Sequence, residues 1–293
     1  MPTAVTDLRR FNRAYTQRIG VLDESFMGTG RPLGPSRLLF EIGTGGADLL
    51  TLRARLGLDS GYVSRMLRGL EEDGLVDVSS DPLDSRRRQV ALTTAGVEEW
   101  HRLDDRSQDV ATALLAPLNE RRRDELARAL RTAERLLRAA TVRFDAVSPQ
   151  HPLVRVALDR YFTELDARFA EGFDPGAGEA DDLEVFAPPD GSFLLAVDDD
   201  RPVGCGGVCR IDASTAEIKR MWVSSEVRGA GVGRRLLGAL EHMAVGLGYG
   251  HVVLDTNEVL TEAIMMYETS GYEPTDRYND NPYAQRWFAK PLR

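Results

Sequence analysis

The sequence predicts two domains, a mainly helical one followed by a mixed α/β one, and three observations support this. The chain has 293 residues, too many for one ordinary core and comfortable for two of about 145 residues each. Apolar residues recur at helical spacing almost throughout the first half, whereas beyond Pro149 strand-like and helical periods alternate. Charge changes at the same place: Met1 to Ser148 carries a net charge of +1 and Pro149 to Arg293 one of −10. The composition, 42% apolar and 28% charged, is that of a folded chain and not of a disordered one.

Taken in order, Ala4 to Met27 places Leu8, Phe11, Tyr15, Ile19, Leu22 and Phe26 on one helical face and ends in the breaker run Gly28-Thr29-Gly30-Arg31-Pro32. Gly34-Pro35-Ser36 opens a short helix that closes at Gly43, and Asp48 to Leu56 forms another, stopped by Gly57. Asp59 suits the N-cap of a third, which gathers Val63, Met66, Leu67 and Leu70 on one face and stops at Gly74. The period then changes: Leu75 to Val78 and Gln89 to Leu92 read as strands joined by the loop Ser79 to Arg88. Thr93 to Leu115 and Asn119 to Phe144 return to helix, broken near Pro117. In the second of these, Leu126, Leu130, Ala133, Leu137, Ala140 and Phe144 alternate steps of four and three. Such a seam suits a dimer interface, or a stripe packed on its own domain.

Val147-Ser148-Pro149-Gln150-His151-Pro152 reads as the domain boundary, giving domains 1–147 and 148–293. A helix (Leu153 to Glu171) and a Gly/Pro/acidic loop (Gly172 to Asp182) follow, then strands at Phe193 to Val197, Val203 to Arg210 and Glu217 to Val223. An amphipathic helix from Gly231 to Gly246 leads into a buried-type strand, His251 to Asp255, then a helix from Leu260 to Ser270 and a strand near Gln285 to Lys290. The two cysteines, Cys205 and Cys209, fall on one face of one strand, awkwardly spaced for a disulfide and without a nearby His. They read as small buried residues, and no metal site is expected. Uncharged runs fall short of the roughly 20 residues of a membrane span. The N-terminus lacks a signal-peptide pattern. A cytoplasmic protein without membrane association is expected.

The strongest chemical signal is the strand Glu217 to Val223, a polar turn, and then Arg228-Gly229-Ala230-Gly231-Val232-Gly233-Arg234-Arg235 opening a helix. Glycines let a backbone approach a ligand, and first-turn N–H groups lack intrahelical acceptors and sit at the positive end of the helix dipole. This is an anion site suited to a pyrophosphate. Arg228, Arg234 and Arg235 cluster there within an otherwise acidic domain. The phosphate-loop pattern is absent and the dinucleotide fingerprint incomplete.

Arg228-x-x-Gly231-x-Gly233 after a strand ending Met221-Trp222-Val223, with Tyr267-x-x-x-Gly271-Tyr272 at the end of the next helix, resembles the GNAT acetyltransferases from about Leu153 onward. The resemblance implies the mixed α/β GNAT acyltransferase fold and acetyl-CoA as co-substrate, with its pantetheine arm between two splayed strands ending near Val223 and Leu254. It further implies pairing of that arm with backbone groups of Met221 and Val223, and a pyrophosphate held by the N–H groups of Gly229, Ala230, Gly231, Val232, Gly233 and Arg234. A main-chain amide near Val223 would stabilise the oxyanion, a contribution of about 3 kcal/mol. The acceptor amine then attacks the thioester directly. Glu217 is the candidate base, acting through water, or else a strand carboxylate paired with Lys219 or a neighbouring Arg. Tyr267 is the candidate acid for the departing thiolate, or else a core aromatic. Where the family often has an Asn, this chain has Leu260; Asn257 lies near and is the candidate cofactor contact in its place. The tail Tyr278 to Tyr283 reads as a substrate loop or a plain turn.

A second signal lies in Asp59 to Thr93. Opposite the apolar face, Ser60, Tyr62, Ser64, Arg65 and Arg68 are hydrogen-bonding and phosphate-binding types on the exposed side of a capped helix. Arg86, Arg87 and Arg88 sit at the tip of a hairpin, as suits the negative potential of a minor groove. The Asp84-x-Arg86 pair followed by Val90-x-Leu92-Thr93 and Gly96 is similar to the wing of the MarR family of winged helix-turn-helix regulators, over roughly residues 4 to 145. The resemblance implies a homodimer reading a pseudo-palindromic site in double-stranded DNA. A net charge of +1 gives little non-specific affinity, so tight binding needs two subunits and depends steeply on salt. Three whole-protein readings follow: a working transferase joined to a DNA-binding regulator, a transferase using the first domain only to dimerise, or a regulator whose second domain only senses acetyl-CoA.

Overall fold

The computed structural model describes residues 2–80, 88–174, 176 and 183–292, and it divides into two compact units, Met1–Leu126 and Ala127–Arg293. The first contains α1 (Pro2–Arg18), α2 (Leu33–Ile42), β1 (Ala47–Asp48), α3 (Leu49–Leu56), α4 (Ser60–Glu72), β2 (Val76–Ser80), β3 (Arg88–Leu92) and α5 (Thr94–Leu115). Helix α1 stops short of the expected Met27 because Gly20 adopts φ 65° and the chain turns; Leu22 is left 96% exposed. Asp59 caps α4 as expected, its Oδ1 accepting from the N–H groups of Gly61 (2.9 Å) and Tyr62 (3.1 Å). The capped helix buries Val63, Met66, Leu67 and Leu70 against α2, α3 and the sheet β1-β3-β2. Strand β1 pairs only Ala47 with Val90 and Asp48 with Gln89, too short to leave an alternation in the sequence.

Helix α6 (Glu120–Thr141) begins in the first unit and ends in the second. Beyond it come β4 (Arg143–Val147), α7 (Pro152–Arg168), β5 (Ser192–Asp198), β6 (Arg201–Arg210), β7 (Thr215–Val223), α8 (Val232–Gly246), β8 (His251–Thr256), α9 (Thr261–Thr269), β9 (Glu273–Pro274) and β10 (Arg286–Pro291). The sheet order is β4-β5-β6-β7-β8-β10-β9. The expected helix to Phe144 ends at Thr141 instead, where Arg235 takes the carbonyls of Ala139 (2.7 Å) and Val142 (2.9 Å). Phe144 then lies in β4, opposite Ala196 of β5. The sheet's edge strand therefore precedes the proline-rich run read as the boundary, and the second unit starts within α6. Arg143 to Ala146 alternates polar and apolar residues, which serves a strand as well as the helical seam it extends.

Two layers cover the sheet. Val154, Ala157 and Leu158 of α7 pack with Phe193, Leu195, Cys205 and Trp222. On the other face Leu236, Leu237, Leu240 and Ala244 of α8 pack with Leu194, Val208 and Leu254. Gly206 permits the close approach of α8, since a Cβ there would lie 2.7 Å from Leu240 Cδ1. Cys205 and Cys209 are buried and unbridged; burial pushes the Cys205 thiol up to about 12. Among the described residues no helix is long and apolar enough to cross a membrane.

One irregularity opens the site. Strands β7 and β8 are parallel and pair only over Thr215–Glu217 and His251–Val253. Arg220 then adopts φ 55°, and the β6–β7 register shifts between Cys205 and Gly207. A bulge of this kind bends its strand, and beyond it the ladder between β7 and β8 ends.

Candidate active site

Where β7 leaves β8, the glycine-rich turn forms one wall of the gap. Val223 ends the strand, a short turn over Ser225–Val227 follows, and α8 starts after Gly231. Gly229 (φ 72°) and Gly231 (φ 84°) are both left-handed, a conformation that costs other residues about 1–2 kcal/mol. Among the described residues the N–H groups of Gly229, Ala230 and Gly231 donate to no other protein group. Those of Val232, Gly233 and Arg234 open α8 and lack acceptors one turn back. Val232 contributes only its backbone, since its side chain is buried with Val142 and Val203. Gly233 lets α9 come close: a Cβ there would lie 3.1 Å from Met266 Sδ. Met221, Val223, Arg228, Gly229, Gly231, Gly233 and Arg234 line a cavity of about 720 Å³, whereas Ala230 and Val232 are not part of its lining.

The arginine side chains beside the turn are engaged within the protein. Arg228 donates from Nε to the carbonyl of Val223 (2.7 Å) and from its terminal nitrogen to Glu164 (2.6 Å), which also accepts from Trp222 Nε1 (2.9 Å). Burial alone would raise Glu164, but the bonds from Trp222 and Arg228 and the neighbouring positive charges hold it below the usual carboxylate range. Arg234 donates to Thr269 Oγ1 (2.8 Å), and Arg235 closes the end of α6. These arginines border the same cavity, and the backbone amides at the positive end of the helix add donors there that fit a pyrophosphate.

On the other side of the gap lies a second cavity, of about 580 Å³. Glu217 lines it, only 5% exposed. Its Oε1 accepts from Tyr278 Oη (2.9 Å) and Asn279 Nδ2 (3.1 Å), and its Oε2 lies 3.4 Å from Lys219 Nζ. Burial raises the Glu217 carboxyl, Lys219 and Tyr278 oppose that, and Asp255 adds to it; the net direction is upward. Asn279 bridges to Asp255 Oδ2 (2.6 Å), which also accepts from Asn281 (3.1 Å). Trp287 Nε1 donates to Asn279 Oδ1 (3.0 Å) and so fixes that amide's orientation. The pairing of Glu217 with Lys219 is therefore present, and the tail from Tyr278 supplies the remaining partners.

The cavities share Tyr161, Leu165, Met221, Leu260, Ala263 and Tyr267. Tyr267 packs its ring with Tyr272 and Phe288 in the core, yet its hydroxyl lies 4.0 Å from Met221 Sδ at the junction. Burial, reinforced by Asp255, pushes this hydroxyl up, which keeps it protonated. Tyr161 is a second buried hydroxyl there, and Asp255 a second carboxylate; both lie in elements whose sequence carries no motif and were missed. Asn257, expected beside the cofactor, lines only the second cavity, and its amide donates to Tyr283 O (2.8 Å) and accepts from Val259 N (3.0 Å). Leu260, not Asn257, borders both cavities.

In the first unit Ser60, Tyr62, Ser64, Arg65 and Arg68 are all exposed along α4, opposite its buried face. Arg65 stacks over the Tyr62 ring (5.9 Å). Arg88 opens β3, exposed, opposite Ser80. Arg86 and Arg87, with Asp84, lie outside the described residues.

The family model described as the acetyltransferase (GNAT) family matches residues 158–272, and that of the MarR family matches residues 29–87. The chain is 31% identical over 140 residues to the IAA acetyltransferase of Azospirillum brasilense, covering 46% of this chain and 91% of that protein. It is 26% identical over 145 residues to the uncharacterized N-acetyltransferase YjgM of Escherichia coli (strain K12), covering 44% of this chain and 87% of that one. A solved GNAT acetyltransferase from Elizabethkingia anophelis with acetyl-CoA bound superposes with a TM-score of 0.40 at 19% identity, over 52% of this chain and 98% of that one. With the gap between β7 and β8, the glycine turn at the head of α8 and the exposed face of α4 in place, the chain belongs to the GNAT acetyltransferase family and carries a MarR-family domain ahead of the transferase.

Proposed function

We propose that this protein transfers an acetyl group from acetyl-CoA to an amine, and that its N-terminal domain is a DNA-binding regulator acting as a homodimer. The observation that carries the first half is the meeting of two cavities at Tyr267, one walled by backbone donors and the other by carboxylates. Acetyl-CoA, when bound, supplies the activated acetyl thioester. The N–H groups from Gly229 to Arg234 hold its pyrophosphate, with Arg228 holding the turn in place, and the backbone of Met221 and Val223 orients the pantetheine arm. An amide near Val223 faces the developing oxyanion. Glu217 accepts a proton from the ammonium through water, which frees the amine to form the new C–N bond. The C–S bond breaks, Tyr267 protonates the sulfur, and the proton shed by the new amide restores Tyr267.

The tests are calorimetric titration with acetyl-CoA and thiol release with a panel of amines. No heat at millimolar thioester would overturn the transferase reading. For the first domain, the exposed polar face of α4 and the exposed Arg88 of β3 support a DNA surface. Exposed apolar residues on α1 (Leu8, Phe11, Tyr15) and on α6 (Leu130, Leu137) support a dimer. Gel shift with DNA from upstream of its own operon, wild type against Arg88→Ala and Arg86→Ala, tests the regulator. Equal retardation of all three, or none by wild type, would count against it.

A further inference from the structure

The acceptor cavity is lined by acidic and basic side chains together, and one of its carboxylates, Asp255, makes no direct ion pair among the described residues. Glu217 has Lys219 as counter-ion, but Asp255 accepts hydrogen bonds only from the neutral amides of Asn279 and Asn281, both at Oδ2. Among the described residues no Lys, Arg or His lies within ion-pair distance of Asp255, and its Oδ1 accepts no hydrogen bond. Lys219 is attracted by Asp255 as well as by Glu217 but pairs directly only with Glu217, so Oδ1 of Asp255 keeps acceptor capacity for a ligand's ammonium. The same cavity has an aromatic wall. Phe162, Phe169, Phe173 and Tyr283 line it, each partly exposed, with ring centroids 5.6 Å apart for Phe162–Phe173, 5.8 Å for Phe169–Phe173 and 4.7 Å for Phe173–Tyr283. Tyr283 is tied at its hydroxyl to the backbone of Asp174, accepting from N (2.9 Å) and donating to O (3.0 Å), so its ring is held in position.

We infer that the acceptor is a small primary amine bearing an aromatic ring, an arylalkylamine, with its ammonium bound at Asp255 Oδ1 and its ring against Phe162, Phe169, Phe173 and Tyr283. This rests on the transferase reading above. Asp255 and Glu217 lie on one polar cluster joined by Asn279, so an ammonium held at Asp255 is placed beside the group that takes its proton. Partly exposed rings gain from offset or edge contact with another ring, which an alkyl chain cannot supply. A volume of about 580 Å³ is within the range of small-molecule sites and has room for the acceptor and ordered water.

The experiment measures CoA thiol release with 2-phenylethylamine, n-butylamine, spermidine and a lysine-containing peptide. The expected preference for 2-phenylethylamine over n-butylamine in kcat/KM is about tenfold, as one well-packed ring provides. Phe173→Leu should cut that ratio at least about threefold. Asp255→Asn should raise KM for 2-phenylethylamine about tenfold, an effect of losing a charge-assisted contact. Calorimetric affinity for acetyl-CoA should stay unchanged in both variants, which also shows that they fold. Equal or faster turnover of spermidine, n-butylamine or the peptide would overturn the inference and leave the transferase reading intact. An unchanged KM in Asp255→Asn would overturn the placement of the ammonium. Absence of acetyl-CoA binding by wild type would instead sink the transferase reading itself.

Discussion

The two sides of the gap between β7 and β8 differ in what they present to a ligand. On the glycine-turn side the backbone is presented and the side chains serve the scaffold: Arg228 is bonded to Val223 and Glu164, Arg234 to Thr269, and Arg235 to the end of α6. On the acceptor side the side chains are presented, with Glu217, Asp255, Asn279 and Tyr278 assembled from three separate stretches of chain. A backbone site depends on conformation and tolerates many side chains. A side-chain site depends on identity, and each replacement there changes the chemistry.

That contrast can be broken or sharpened by substitution. The largest effect belongs to Glu217→Gln, which should lower kcat/KM about a hundredfold, the usual scale for loss of a general base. Because burial raises Glu217, wild-type kcat/KM should be full at higher pH. It should fall as pH drops through a value above the ordinary glutamate range, and that limb should vanish in Glu217→Gln; an unchanged profile would return Glu217 to a purely structural role. Next, Tyr267→Phe should lower kcat at least about tenfold with little change in acetyl-CoA affinity. Unchanged turnover would remove Tyr267 from the mechanism. On the backbone side, Gly231→Ala forces a side chain into φ 84° and should weaken acetyl-CoA binding about fivefold to thirtyfold. No Cβ clash accompanies that change, so calorimetry reads the conformational cost alone, and the acceptor's KM should hold. The smallest effect lies in the other unit: Arg88→Ala should reduce the slope of log DNA affinity against log salt by about 1 and leave acetyl transfer untouched. A loss of transfer in that variant would show that the two units are coupled.

How much was legible follows the same division. The cap at Asp59, the two faces of α4 and the glycine turn are local patterns, set by residues within one or two helical turns, and each was readable from spacing. The short β1, the early end of α1 at Gly20 and the conversion of Arg143 to Val147 from helical seam to edge strand were not. Each of these depends on a partner distant in the chain or on one residue's dihedral angle. Asn257 was placed beside the cofactor because a nearby position in the family often holds Asn, but its amide is engaged by Tyr283 and Val259.

By itself the sequence determined that there are two kinds of domain here, where an anion-binding helix start lies, and which face of α4 is polar, because these follow from periodicity and from backbone freedom at glycines. Only the tertiary structure decided that Asp255 shares a cavity with Glu217, that Tyr267 stands where two cavities meet, and that each arginine beside the glycine turn bonds to a protein group. The physical reason is that charge balance and cavity shape are properties of residues brought together across the sheet, and no spacing along the chain encodes which of them meet.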